Sequence, residues 1–221
     1  MTDLSHIDTW LFDLDNTLYP VESELMSLVE GRMTDFMERL TGLPRAEARA
    51  IQKQYYHQHG TTLAGLMANH GVDPEVFLTE VHDISLDRLT PDPALAAGLE
   101  RLPGRRLVFT NGSAAHAERV LERLAVAHLF EDIFHIAAAD YIPKPSPETF
   151  QKMMSRHGVA AAGSAFFEDS EKNLAPAALL GMTTVLVGAH AADSTADFVH
   201  HRTEHLPPFL QRAKVKETPP Q

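Results

Sequence analysis

The stretch that decides the fold is Thr9-Trp10-Leu11-Phe12-Asp13-Leu14-Asp15-Asn16-Thr17. Its first four residues form a short apolar run, and the polar residues Asp13, Asp15 and Asn16 stop it, the pattern of a buried strand ending at a loop. Two carboxylates two residues apart at a strand end point to the same side. One can serve as nucleophile and the other as general acid and base, a division that needs their pKa values pushed apart. A helix cap or a tight turn uses the same residue types. The pair therefore acquires meaning only from the rest of the chain.

Similar apolar runs recur at Arg106-Leu107-Val108-Phe109, at Ala165-Phe166-Phe167 and at Thr183-Thr184-Val185-Leu186-Val187. Amphipathic helical patterns lie between them, from Ala114 to Leu124 and from Pro147 to His157. Strands alternating with helices predict an α/β fold, a parallel sheet with helices on both faces. One stretch departs from this. From about Val21 to Leu89 the periodicity is helical throughout, with breaks near Gly42-Leu43-Pro44, His59-Gly60 and Gly71-Val72-Asp73-Pro74. Pro44 and Pro74 suit first-turn positions of new helices. Thr90-Pro91-Asp92-Pro93 reads as a return hinge, because a residue before proline is pushed out of the helical region. The expected organisation is a core of residues 1–18 and 91–221 with a small inserted α-helical domain at 19–90. The stretch from Ala191 onward reads as polar, and its end, Thr218-Pro219-Pro220-Gln221, as frayed.

The chain has 221 residues, enough for one α/β domain with a smaller insertion. Its formal net charge is −11 and no block of Lys or Arg stands out. That argues against a nucleic acid polymer or an anionic membrane as partner, since both reward clustered positive charge. A small anionic substrate stays compatible, because one lysine and one metal ion reverse the field locally. With no cysteine, disulfides, thiolate metal sites and Cys nucleophiles are excluded. Met1-Thr2-Asp3-Leu4-Ser5-His6 shows no signal-peptide pattern, and no 18-residue apolar run suggests a membrane span. A cytoplasmic location is the default expectation.

Three further strand ends carry chemistry. Thr110-Asn111-Gly112-Ser113 offers a hydroxyl, backbone amides and a glycine opening a helix, the parts of an anion cradle; a plain turn with Ser113 as cap uses the same residues. Lys144, in Ile142-Pro143-Lys144-Pro145-Ser146-Pro147, is held between prolines ahead of a helix that Ser146 is expected to cap. A lysine is a compact charge suited to bridging a carboxylate and a phosphoryl oxygen. Phe166-Phe167-Glu168-Asp169-Ser170 places two acids after an apolar strand, and hard oxygen donors there suit Mg2+. Such positions are where α/β sheets bind ligands.

In that order the four motifs resemble the haloacid dehalogenase-like hydrolases of the phosphatase type, over Thr9 to Gly188. The resemblance implies a Rossmann-like core, a cap inserted after the first motif, Asp13 as nucleophile and Asp15 as acid and base. It also implies phosphate contacts from Thr110, Asn111 and Gly112, a charge-balancing Lys144, and Mg2+ on Asp13, the Asp15 carbonyl and Asp169. Asn173 stands where many relatives carry a second acid; a hydrogen bond behind the metal ligands is expected of it, and Glu168 is the lesser candidate ligand. Dehalogenating members lack an acid at the position of Asp15, because a halide leaves without a proton, whereas a phosphoester's alkoxide needs one.

The likeness is nearest to the pyrimidine 5′-nucleotidase branch, in Asp15-Asn16-Thr17-Leu18-Tyr19-Pro20, Phe167-Glu168-Asp169-Ser170 and the run from Tyr55 to Leu63. The expected substrates are pyrimidine nucleoside 5′-monophosphates or similar small phosphorylated metabolites. Phosphoglycolate or a sugar phosphate, a haloacid, and a non-catalytic phospholigand-binding role are the alternatives. Tyr19 is the expected contact at the hinge; Tyr55 and Tyr56 either stack on a base or pack the insertion. No histidine metal pattern is present among the 13 His. The expected assembly is a monomer or homodimer.

Overall fold

The computed structural model describes residues 2–216. The predicted frayed end at 218–221 lies outside them. Six parallel strands form one sheet: β1 (Thr9–Phe12), β2 (Arg105–Phe109), β3 (Asp132–Phe134), β4 (Ser164–Glu168), β5 (Thr183–Val187) and β6 (His201–Thr203). Their spatial order is β3-β2-β1-β4-β5-β6. The chain order reverses on the two sides of β1, so a crevice opens above its C-terminal end.

Alternate residues of each strand feed two cores. Trp10, Phe12, Val108, Ala165, Phe167, Val185 and Val187 pack on one face, while Leu11, Leu107, Phe109, Phe166 and Leu186 pack on the other. This is the period of two expected of a strand buried on both sides. The first face is covered by α5 (Pro93–Glu100), α6 (Ala114–Arg123) and α9 (Leu206–Arg212). The second is covered by α7 (Pro147–His157) and α8 (Glu171–Leu179). Phe12 and Phe167 stack at 4.7 Å between ring centres, which ties β1 to β4.

Between β1 and α5 come α1 (Leu25–Thr41), α2 (Arg45–His59), α3 (Thr62–His70) and α4 (Pro74–Val81). Gly42, Gly60 and Gly71 end the first three with φ of 70°, 84° and 61°, a region glycine enters without a Cβ clash. Pro74 takes the first position of α4 with Asp73 as its cap. Pro44 stands one residue earlier than expected, at the N-cap of α2. No described helix is long and apolar enough to cross a membrane.

The polar reading of the stretch after Ala191 is corrected. It contains β6 and α9, and Leu206, Phe209 and Leu210 of α9 are buried against α5. Gly98 of α5 lets that helix approach, since a Cβ there would stand 3.0 Å from Leu210 Cβ.

Candidate active site

Parallel register brings the motifs level. Phe12 pairs with Val108 on one side and with Phe167 on the other, so the next residues, Asp13, Phe109 and Glu168, stand abreast at the strand ends. Asn16 turns the chain back at φ 60°, a left-handed conformation that asparagine tolerates.

Lys144 is the centre of the floor, 1% exposed. Its ammonium donates to Asp13 Oδ1 (2.7 Å), Glu168 Oε2 (2.8 Å) and the Phe109 carbonyl (2.7 Å), so all three protons are used. Phe109 and Phe166 lie under it, with ring centres at 4.9 and 5.2 Å. Burial alone would lower its pKa, but the charges of Asp13 and Glu168 outweigh that and raise it. Asn111 clamps the lysine from its backbone: Lys144 N donates to Asn111 Oδ1 (2.8 Å) and Asn111 Nδ2 donates to the Lys144 carbonyl (3.2 Å). The side chain expected to touch phosphate is therefore spent on positioning Lys144. Likewise the Gly112 N–H donates to Thr110 Oγ1 at 2.9 Å and is not free for an anion. Ser146 stands at the N-cap of α7, but its side chain makes no cap bond there.

Asp13, Glu168 and Asp169 each bring a carboxylate oxygen to within 4.8 Å of the others, a grouping that could hold a metal ion. Burial, then the negative charge of Glu168, pushes Asp13 up to about 8 despite Lys144. Burial and the charge of Asp169 push Glu168 up to about 7, again against Lys144. Asp169 rises to about 6 through burial and the charge of Asp13. Three hard oxygen donors raised in this way fit a divalent cation, whose charge would reverse the shifts. Glu168 fits least, because Oε2 is on Lys144 and Oε1 accepts the Ser170 N–H at 3.1 Å. Asn173 makes no side-chain hydrogen bond to the acids. Its Oδ1 is buried without a partner on the wall of the same cavity, an acceptor in want of a donor.

Asp15 faces other partners. Its Oδ1 accepts from the Tyr19 hydroxyl (2.5 Å) and from His116 Nε2 (2.9 Å). Burial would raise this carboxyl, but the charge and hydrogen bond of His116, then Tyr19, hold it below the usual range. Tyr19 is itself buried, and burial and the Asp15 charge raise its hydroxyl well above the ordinary value. Tyr19, expected as a substrate contact at the hinge, has its hydroxyl held by Asp15. The two carboxyl pKa values are pushed apart as expected, but with Asp13 high and Asp15 low. His116 (0% exposed) and His82, stacked on it at 4.3 Å between ring centres, were invisible in the sequence, where each reads as an ordinary helical histidine.

A cavity of about 480 Å³ lies over these groups, between the sheet and the helical insertion. Arg49, Gln52, Lys53, Tyr56 and His57 line it from one face of α2, at helical spacing. Tyr56 is 41% exposed there, with the Lys172 ammonium 3.8 Å from its ring centre. Tyr55 packs instead: its hydroxyl bonds His70 Nε2 at 2.8 Å, and its ring lies against Gly65, where a Cβ would collide. A larger hollow of about 960 Å³ beside α4 is lined by Glu75, Glu80 and Asp83, but among the described residues only Asp13, Glu168 and Asp169 bring their carboxylate oxygens together closely enough to hold a metal ion.

Comparison with known proteins gives the same direction. The chain is 29% identical over 193 residues to phosphate metabolism protein 8 of Saccharomyces cerevisiae, covering 80% of this chain and 60% of that protein. It is 32% identical over 122 residues to fructose-1-phosphate phosphatase YqaB of Escherichia coli, covering 52% of this chain and 63% of that one. The chain therefore spans less than two thirds of the length of either relative. Its fold is similar to that of a phosphatase from Thermococcus onnurineus, with a TM-score of 0.64 at 19% identity, covering 93% of this chain and 97% of that one. The profile of the haloacid dehalogenase-like hydrolases matches residues 7–181, from the loop before β1 to the end of α8. The chain belongs to the haloacid dehalogenase-like hydrolases.

Proposed function

We propose that this chain is a Mg2+-dependent phosphomonoester hydrolase working through an aspartyl phosphate on Asp13. One observation carries the reading: a second carboxyl, Asp15, stands two residues from Asp13, away from Lys144 and with one oxygen, Oδ2, unbonded. A halide leaving group would give that carboxyl no task, and a binding module would not need it. The shared chemistry with relatives named as phosphatases points the same way.

Asp13 Oδ1 is tied to Lys144, which leaves Oδ2 to attack phosphorus. Two unit negative charges repel by ~4 kcal/mol at 4 Å and an effective dielectric of 20, and the carboxylate and a dianionic phosphate by about twice that. Lys144 offsets part of this from below, and the Thr110 hydroxyl and Asn111 N–H are the donors left to the phosphoryl oxygens. Asp15 gives a proton to the leaving oxygen as the P–O bond breaks, then takes one from the water that cleaves the aspartyl phosphate. Its low pKa in the empty site does not bar this, since an arriving dianionic phosphate raises the proton affinity of a neighbouring carboxylate. Asp13, Asp169 and the Asp15 carbonyl would hold Mg2+, whose charge lets Asp13 ionise among its acidic neighbours and stabilises the equatorial oxygens.

Small phosphorylated metabolites fit the 480 Å³ cavity. Pyrimidine nucleoside 5′-monophosphates are the finer reading, supported by the exposed aromatic face of Tyr56 on the cavity wall. Hydrolysis of p-nitrophenyl phosphate with Mg2+, and its loss with EDTA, tests the reaction class. Asp13→Asn should abolish turnover in a folded protein; a variant keeping about a tenth of the rate, a loss of only ~1.4 kcal/mol, would sink the nucleophile assignment. Faster turnover of phosphoglycolate or sugar phosphates than of UMP and CMP would remove the nucleotide reading alone.

A further inference from the structure

Asp15 is held by groups from two parts of the chain. Both of its recorded hydrogen bonds fall on one oxygen, Oδ1: Tyr19 at 2.5 Å and His116 Nε2 at 2.9 Å. Oδ2 takes none and faces the Thr110–Gly112 loop, 3.7 Å from where a Cβ on Gly112 would stand. A carboxylate pinned at one oxygen by two donors in different directions cannot swing, so its other oxygen has one address.

The His116 ring has no other hydrogen bond among the described residues. Its Nδ1 is buried and without a partner, which an imidazole present merely to fill the core does not require. The plane of the ring is set by His82, which lies parallel to it within 10°. His82 follows α4 at the far end of the helical insertion, and its Nδ1 shares a hydrogen bond of 2.9 Å with Ser113 Oγ in the loop before α6. Arg119, one turn beyond His116 on α6, fixes the backbone there by donating to the carbonyls of His82 (2.9 Å) and Ile84 (2.8 Å). Tyr19 stands at the near end of the same insertion. The two ends of the insertion thus bracket Asp15.

We propose that His116 and Tyr19 are positioning residues that aim Asp15 Oδ2 at the leaving-group oxygen, and that seating the helical insertion, through His82 and Tyr19, completes this alignment. The inference rests on the phosphatase reading. It predicts a defect in proton transfer whose first step, read in kcat/KM, depends on the leaving group, while hydrolysis of the aspartyl phosphate, which Asp15 also serves, is common to every ester. An alkoxide must be protonated as it departs, whereas p-nitrophenolate is a stable anion and leaves without help.

The test compares His116→Asn and His116→Gln on an alkyl phosphate, such as glycerol phosphate or UMP, and on p-nitrophenyl phosphate. A glutamine amide can reach the place of the imidazole Nε2; an asparagine amide falls short. His116→Asn should lose ~10²-fold in kcat/KM on the alkyl ester, the scale of general acid catalysis, and only a few-fold in kcat/KM on the aryl ester. His116→Gln should recover most of it. An equal loss of kcat/KM on both esters, no loss on either, or no difference between the two variants overturns the proposal. Should His116→Asn fail to fold, Tyr19→Phe removes only a hydroxyl and is read by the same split. A wild-type protein that cleaves neither ester would instead sink the phosphatase reading.

Discussion

On the floor of the cavity Lys144 is buried and all three of its protons are taken, whereas at the roof and rim Lys53 and Lys172 reach toward solvent with no carboxylate partner among the described residues. The floor is assembled from four separate chain segments, and the side chains of Lys144, Asn111 and Glu168 in it are committed to other floor residues. The roof comes from the helical insertion, above all from one face of α2, where Arg49 pairs with Glu30 and Gln52 bonds Thr34 while Lys53 has no ion-pair or hydrogen-bond partner among the described residues. A group that must act the same way in every turnover gains from being fixed before substrate arrives. A group that, on the proposed function, only has to attract phosphate esters gains from staying mobile in a chain of net charge −11. The contrast makes sharply different demands on the same residue type, lysine.

Lys144→Met should show the largest effect. It leaves two buried carboxyls without their cation and removes the charge that, in the proposed mechanism, offsets nucleophile–phosphate repulsion. Loss of one preorganised electrostatic group of this kind costs ~10²–10³-fold in kcat, and Lys144 serves two groups, so the upper figure is expected. Lys144→Arg should not restore it. Three acceptors converge on one nitrogen here, and a planar guanidinium cannot present three protons from a single point. Steady-state kinetics on both variants decides the matter, and an arginine variant within tenfold of wild type would break the picture of a committed floor.

The floor was legible in the sequence to the extent that it follows buried strands. Thr9–Phe12 and Thr183–Val187 read as unbroken apolar runs, so their ends, and Asp13 with them, could be located. The three-residue edge strands β3 and β6 could not, because each is partly exposed and too short to establish a period. The helix α9 was hidden by Pro207 and Pro208, which look like loop residues but occupy a helix's first turn, where a missing N–H costs nothing. Partnerships across sequence were beyond reach. Asn111 looked like a phosphate donor until its amide closed on Lys144, 33 residues on, and nothing near Asp15 hints at a histidine 101 residues away.

At the joint between floor and roof, His82 gives an effect of intermediate size. Burial, then the neighbouring His116 and Arg119, lowers its pKa from 6.5 to about 3, with the charge of Asp15 opposing. The folded protein therefore keeps His82 neutral while the unfolded chain protonates it below pH 6.5. Stability on this account is complete above that pH and falls as pH drops through the window from 6.5 to about 3, by ~1.4 kcal/mol per unit. His82→Gln removes one share of that slope. Urea unfolding at pH 7.5 and 5.5 should show wild type losing about 1.4 kcal/mol more than the variant. Equal losses would mean that His82 is solvated in the free protein, and that floor and roof stand apart until substrate enters.

The smallest effect belongs to the roof and rim. Lys53→Met combined with Lys172→Met removes two unpaired cations from the approach to the cavity while leaving every floor contact in place. If they act by attracting a dianionic ester over a distance, kcat/KM falls and kcat does not follow, because the charges are felt before the chemistry begins. The loss should be a few-fold at low ionic strength. It should vanish as salt shortens the Debye length from ~30 Å at 0.01 M to ~3 Å at 1 M, where wild type and variant converge. Persistence of the defect in 1 M salt would mean that these lysines touch the bound substrate, and a matching fall in kcat would mean that they touch the transition state. Either result would move part of the chemistry from the floor to the roof, and the division between a committed lysine and two free ones would have to be redrawn.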